Sequence, residues 1–382
     1  MKKKILLGSG IFLLIVIGVF GWVIYDEYSR WIKPWGTEAD EFFIEIEKGM
    51  TARDVANILY EKNVIHSKTF FLALADLRGF STKIRAGEYQ IIGTQSPYDV
   101  IEMLAIGYAY RHALTIPEGY TQLQIAEKCE YLGICTKEAF LEECSIQNIF
   151  QGIIAQAPGG AHAACEGVLF PETYFFERNT PVVKVVARMI STFNHVWNEI
   201  REEATKDENV LWWWQEGDPN PKLEIYRVVV LASIIEREAK RDEDRAKIAS
   251  VFINRTKKEM PLQADSTIHY AMNDWSRLLT LEDLEFDSPY NTYKNAGLPP
   301  AAICNPGRVS LQAAAMPENT TYLYFVTMPD GEAIFSATHD DHLVNKKQMK
   351  QERRNLAEQK KQQTESATVQ SPDSPDEPPP EN

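Results

Sequence analysis

No CxxC pair occurs among the five cysteines (Cys129, Cys135, Cys144, Cys165 and Cys304), so the usual ligand spacing of a structural zinc site is missing. Their odd number leaves at least one thiol unbridged within the chain. Spacing alone leaves a Cys129–Cys135 bridge open. Basic residues are also in short supply. There are 40 Lys and Arg against 54 Asp and Glu, a formal net charge of −14 over 382 residues. A nucleic-acid partner, which needs a basic footprint, is excluded on that ground. The N-terminal apolar run lacks a small-x-small exit and closes instead in Gly21, Trp22, Val23, Ile24 and Tyr25. This argues against a cleaved signal peptide and for an uncleaved anchor. Glycine and proline are absent from residues 224–260; the long apolar first half predicts a helix, and Asp242 and Asp244 can cap a second one that runs to Met260.

What is present begins with Lys2, Lys3 and Lys4, a stub over residues 1–4, followed by an apolar run over residues 5–25. That run is long enough to cross a bilayer core of ~30 Å. The lysines predict a cytoplasmic N-terminus and an extracytoplasmic remainder. Residues 26–40 read as a linker, with Trp31 and Trp35 expected at the membrane interface. An internal repeat follows. Gly49 aligns with Gly119, Thr51 with Thr121, Ala56 with Ala126, Val64 with Ile134 and Phe70 with Phe140, all at one offset. Each copy reads as a strand, a glycine turn, a threonine N-cap and an amphipathic helix. The two units are expected over residues 41–110 and 111–165. Neither carries an acid–base constellation.

The predicted helix from Glu224 is apolar around most of its circumference and should be buried. Two acids sit near its end. At about 100° per residue, Glu236 shares a face with Ile225, Val229, Ala232 and Ala239, while Glu238 points towards Arg227, Ile234 and Arg241. On this reading Glu238 is an ion-paired structural acid. Glu236 sits among methyl groups, where desolvation keeps a carboxyl protonated near neutral pH. A protonated carboxylic acid in an apolar cleft is what general-acid cleavage of a glycosidic bond requires.

Around this helix lie EGVLFPETYFF (166–176), a strand and loop rich in aromatics, and the Trp212–Trp214 cluster, expected to pack under a polar loop. Residues 261–272 and 288–307 combine polar side chains with Gly and Pro, the mark of fixed turns near a site. A hairpin is predicted over residues 322–338. His339 and His342 lack a third ligand signature, so a helix cap is preferred to a metal. Residues 347–382 read as a charged helix and a disordered acidic, Pro-rich tail.

LASIIEREA (231–239) resembles a block of the YceG-like, or MltG, family of membrane-anchored endolytic murein transglycosylases. The resemblance extends in order through EGVLFPETY (166–174), VFINR (251–255), MPLQADSTIHY (260–270), PYNTY (289–293), GLPPAAICNPG (297–307) and YLYFV (322–326). It implies an α+β fold with LysM-like strand–helix modules before a catalytic domain over residues 166–346. It implies location in the cell inner membrane, with the catalytic domain in the periplasm. The activity implied is internal cleavage of nascent peptidoglycan strands beside MurNAc, leaving a 1,6-anhydro end, with a cell-wall synthase complex as partner. Neither metal nor cofactor is needed. The family's catalytic glutamate is matched to the first acid of the block, Glu236. Gln263, Asp265, Thr267, Asn291 and Tyr293 become candidates for substrate contacts, with Asn291 and Tyr293 first. Ser266 stands where many relatives carry proline, which leaves that turn less preset.

Two rival readings stay open. A hydrolytic muramidase would need a second carboxylate, for which Asp265 is the nearest candidate. A non-catalytic wall-binding scaffold would rely on the repeat units alone.

Overall fold

The computed structural model describes residues 2–146, 165–206 and 221–369. The Trp212–Trp214 cluster and the Pro-rich end fall outside them. The chain divides into two compact units. The smaller comprises residues 1–114, 131–135 and 175–180, and the larger residues 115–130, 136–174 and 181–382.

In the smaller unit, helix α1 (Lys2–Trp31) would measure about 45 Å at 1.5 Å per residue. Its stretch Phe12–Trp31 is long and apolar enough to cross a membrane. Trp31 and Trp35 depart from the interfacial placement expected of them. Trp31 is 6% exposed and packs edge-on against Phe70 and Phe71, while the Trp35 indole donates to the Ile92 carbonyl at 3.1 Å. An indole that finds aromatic partners and an acceptor inside the protein has its apolar face and its N–H both satisfied there. Strand β1 (Glu41–Ile46) pairs antiparallel with β2 (Gly87–Ile92), bringing Ile44 opposite Tyr89. Ile44 and Ile46 are buried while Phe43 and Glu45 are exposed, the period of two that a half-buried strand imposes. Between the strands run α2 (Ala52–Glu61) and α3 (Lys68–Leu77), and α4 (Pro97–Ile106) follows. Two short strands, β3 (His112–Thr115) and β4 (Thr173–Phe176), come later in the chain.

The repeat is visible in the caps. Thr51 Oγ1 accepts from the Asp54 amide at 3.3 Å, and the Asp54 carboxylate accepts from the Thr51 amide at 2.8 Å. In the second copy the Thr121 hydroxyl accepts from the Gln124 amide at 3.2 Å, and Gln124 Oε1 accepts in return from the Thr121 amide at 2.9 Å. Both are reciprocal capping boxes. Gly49 and Gly119 turn the chain ahead of them at φ +101° and +80°, which a side chain would strain. The second copy continues into α5 (Gln122–Tyr131) and α6 (Lys137–Ile146). Cys129 and Cys135 are thiols rather than a bridge.

The larger unit is organised on α8 (Pro221–Glu238). Every residue from Val228 to Ile235 is buried, as an apolar circumference requires. It packs against α9 (Arg245–Lys257), α10 (Asp265–Met272) and α11 (Arg308–Ala315), and α7 (Val182–Lys206) packs on α11. The alanines Ala313, Ala314 and Ala315 of α11 are buried, and small side chains let helix axes approach. Strands β5 (Tyr324–Thr327) and β6 (Ala333–Ser336) form the predicted hairpin, which packs on α12 (His339–Val369). The described strands form separate two-stranded sheets among the helices, antiparallel at β1–β2 and β5–β6, an α+β arrangement.

Candidate active site

The last turn of α8 sends three consecutive side chains to three environments. Glu236 is 7% exposed and ion-paired: Arg245 Nη1 lies 3.2 Å from Oε1, and the Gly307 amide donates to Oε2 at 3.0 Å. Arg245 is held in turn by Asp242 at 2.9 Å and by the Ser310 hydroxyl. Glu118 stands against Gly307, where any Cβ would collide with its carboxylate. Burial raises the Glu118 pKa, and the Glu236 charge raises it further. Arg237 lays its guanidinium over the Trp275 ring at 3.7 Å and reaches the Gly119 carbonyl at 3.4 Å.

Glu238 goes the other way. Its carboxylate accepts from the Ser266 hydroxyl at 2.8 Å and the Ser266 amide at 3.3 Å, in the first turn of α10. Desolvation pushes its pKa above the usual carboxylate range, against the pull of those two hydrogen bonds, while the nearby Asp265 charge pushes the same way. The side chain keeps part of its surface open on a cleft of about 400 Å³.

The expected environments of the two acids are therefore reversed. Glu236 is the arginine-bound acid, and Glu238 is the desolvated one. Projection of α8 alone placed methyl groups around Glu236, but Arg245 comes from α9 and the Gly307 amide from a distant loop. Neither partner lies on the helix that was projected.

Three of the five expected contact residues, Gln263, Asp265 and Tyr293, line the Glu238 cleft. The Tyr293 hydroxyl donates to Asp265, and burial together with that bond raises the phenol pKa, so it stays protonated at neutral pH. Gln263 has φ +53°, unusual for a residue with a side chain, in the loop ahead of α10. The Gln263 amide donates to the Thr292 carbonyl at 3.0 Å, and Arg255 holds the carbonyls of Pro261 and Leu262 as well as Gln263 Oε1.

Thr267 and Asn291 turn inward, contrary to their expected place in the groove. Thr267 is fully buried and bonds the Ala264 carbonyl at 2.7 Å and the Thr292 hydroxyl at 3.0 Å. Asn291 is also fully buried. Its amide donates to Leu284 and Phe286, and its Oδ1 accepts from the Tyr293 backbone. These two residues shape the loop that presents Tyr293.

The remaining wall was not anticipated. Arg255, Phe325, His342, Lys346, Met349 and Arg353 complete the cleft, four of them from α12. The spacing of 342, 346, 349 and 353 was a legible signal, because such positions share a helix face. His342 stacks on Tyr324 with ring centroids 5.0 Å apart, and burial lowers its pKa to about 4, so the ring is neutral. Among the described residues no group of three or more His, Cys, Asp or Glu side chains is placed to hold a metal ion.

A desolvated carboxyl over a cleft walled by tyrosine, amide and cationic groups defines an acid-bearing site suited to a polar ligand. The comparisons with known proteins then fix the family. The model of the YceG-like family matches residues 44–348, and the chain belongs to that family, as the order of its sequence blocks implied. The endolytic murein transglycosylase of Bacillus subtilis is 33% identical over 314 residues, covering 78% of this chain and 82% of that one. The protein of the same description from Streptococcus pneumoniae R6 is 27% identical over 326 residues, and the match spans 56% of its length. A crystal structure of a putative YceG-like protein from Listeria monocytogenes aligns with a TM-score of 0.51 at 30% identity, over 80% of this chain and 99% of that one.

Proposed function

We propose that this protein is an endolytic peptidoglycan lytic transglycosylase, anchored by α1, with Glu238 as its general acid. The observation that carries the reading is the placement of Glu238: desolvated, open to the cleft, and beside Gln263, Asp265 and Tyr293. The names of the B. subtilis and S. pneumoniae relatives supply the substrate class. In the proposed reaction the protonated Glu238 gives its proton to the glycosidic oxygen as the bond from MurNAc C1 breaks. The resulting carboxylate takes the proton of the MurNAc C6 hydroxyl as that oxygen bonds to C1. The anhydro ring closes, and the acid returns to its starting state. A second carboxylate is not needed, because the nucleophile belongs to the substrate. Tyr293 and Gln263 are the groups proposed to hold the sugar. We read α1 as an inner-membrane anchor with the remainder in the periplasm, and the β1–α2–α3–β2 unit as the LysM-like module. A cell-wall synthase complex is the proposed partner.

One observation favours a second reading. Asp265 lines the same cleft, so a water-using muramidase has its second carboxylate at hand. The test is digestion of uncrosslinked glycan by the full-length protein in detergent, read by mass spectrometry. An end lighter by one water supports the transglycosylase, and a reducing end supports the muramidase. Glu238→Gln should abolish either product. If a folded Glu238→Gln protein keeps full activity while Glu236→Gln loses it, the assignment of the acid passes back to Glu236. If the wild-type protein cuts nothing, the scaffold reading prevails.

A further inference from the structure

Next to the Glu238 cleft lies a second depression, of about 720 Å³, between the end of α8, the β5–β6 turn and α12. The two share Thr327 and Arg353, so they adjoin at that edge. Four cations line the second depression: Lys240, Arg241, Arg353 and Lys360. The single acid in its wall is Asp330, already paired with Arg241 at 3.1 Å. Arg241 also reaches Glu332 at 3.5 Å. Lys240 and Arg353 form no ion pair with the described residues. Two cations without an ion pair among the described residues, Lys240 and Arg353, in one hollow are out of keeping with a chain of net charge −14. They create a local field that favours an anion beside a cleft whose own ligand need carry none.

Resting on the functional reading above, we infer that this basin takes the carboxylates of the peptide stem carried by a MurNAc residue of the bound strand. The sugar backbone of such a strand is uncharged where its lactyl groups are amide-linked to stems, so the carboxylates of the stem are the anions it brings. A stem hanging from a sugar in the cleft would pass Arg353 and lie over Lys240. The basin therefore makes the enzyme selective for strands that still bear peptides.

The test compares uncrosslinked glycan bearing intact stems with the same strands stripped of them by an amidase, using full-length protein in detergent. Two exposed ion pairs predict a kcat/KM roughly tenfold higher for the stem-bearing strand, shrinking as salt is added. Lys240→Gln combined with Arg353→Gln should bring the ratio of the two kcat/KM values to about one. Equal wild-type rates on both strands, or a preference that survives the double substitution, would overturn the inference. Binding separates it from the functional reading. A stem tetrapeptide titrated into Glu238→Gln protein should bind, and the Lys240 and Arg353 substitutions should weaken it. Inorganic pyrophosphate is titrated in parallel, and pyrophosphate bound with the peptide ignored would assign the basin to a phosphate ligand instead. Peptide bound at the basin with neither strand cut would sink the functional reading and leave the carboxylate site standing.

Discussion

Glu236 and Glu238 lie two residues apart on one helix, and the protein treats them in opposite ways. Glu236 is enclosed by an arginine, a backbone amide and a second carboxyl, Glu118. Glu238 has one serine as its hydrogen-bond partner, a desolvated setting and an open cleft. The first environment ties a carboxylate to an arginine, and the second raises a carboxyl pKa beside an open cleft. A residue's chemistry here is set by which tertiary neighbours its side of the helix meets. The comparison can be broken by removing each acid in turn. The largest effect is expected at Glu238→Gln, which keeps the shape and hydrogen-bonding capacity but cannot give up a proton. We expect glycan cleavage to fall roughly 10²–10⁴-fold with folding intact, measured by initial rates and thermal unfolding.

Glu236→Ala should give the reverse pattern, a loss of stability in place of a specific loss of chemistry. It would leave Arg245, 9% exposed, with the exposed Asp242 carboxylate as its one remaining acid, and the Gly307 amide without an acceptor. Breaking a fully buried pair from one side costs about 3–5 kcal/mol, and the Asp242 contact that Arg245 keeps should hold the loss at or below the lower end of that range. Denaturant unfolding should show that loss, and Glu236→Gln, which still accepts from Gly307, should show less of it. Equal stability of Glu236→Ala and the wild-type protein would mean the pair contributes nothing.

These two acids also mark what the sequence could disclose. The buried run of α8, the capping threonines Thr51 and Thr121, the glycine turns and the β5–β6 hairpin were legible, because each depends on residues near one another in the chain. The environments of Glu236 and Glu238 were not, because Arg245, Gly307 and Ser266 arrive from other elements. The same limit explains Thr267 and Asn291. Polar residues in a turn-rich loop look alike in sequence whether they face a ligand or hold carbonyls, and only the fold separates them from Asp265 and Tyr293. The α12 wall was read as a helix cap followed by a charged helix, and its contact with the hairpin turned one face of it into the cleft.

A third buried acid sharpens the contrast by pH. Glu166 is 4% exposed and accepts from the Gln122 amide at 2.9 Å, the Asn305 amide group at 3.0 Å and the Tyr270 hydroxyl at 3.2 Å. Burial outweighs these bonds and raises its pKa from 4.5 to about 8. The unfolded chain gives up this proton near 4.5 and the folded one near 8, so the stability it contributes is present below 4.5 and drains away as pH rises to about 8. Glu166→Gln mimics the protonated form and should remove that part of the slope. His342 slopes the other way, from about 4 to 6.5, so the comparison belongs between pH 6.5 and 8. Thermal unfolding across that range should fall less steeply in the variant. Parallel curves would place the charge of Glu166 elsewhere.

The smallest effect concerns Ser266, the hydroxyl that restrains the Glu238 proton. A hydrogen bond to a carboxylate favours the ionised form, so Ser266 works against the burial that raises the Glu238 pKa. Ser266→Ala removes the 2.8 Å bond and leaves the amide at 3.3 Å. The Glu238 carboxyl should then keep its proton to higher pH. An acid that must be protonated to act loses rate as pH climbs through its pKa, so the alkaline limb of the rate profile should move upward in the variant while the plateau changes little. The same substitution leaves the Glu236 pair untouched, and stability near neutral pH should shift by only about 1 kcal/mol. A limb that stays in place would mean that the titrating group is not Glu238. A limb that moves downward would mean that the serine stabilises the protonated acid, reversing the role given to it here.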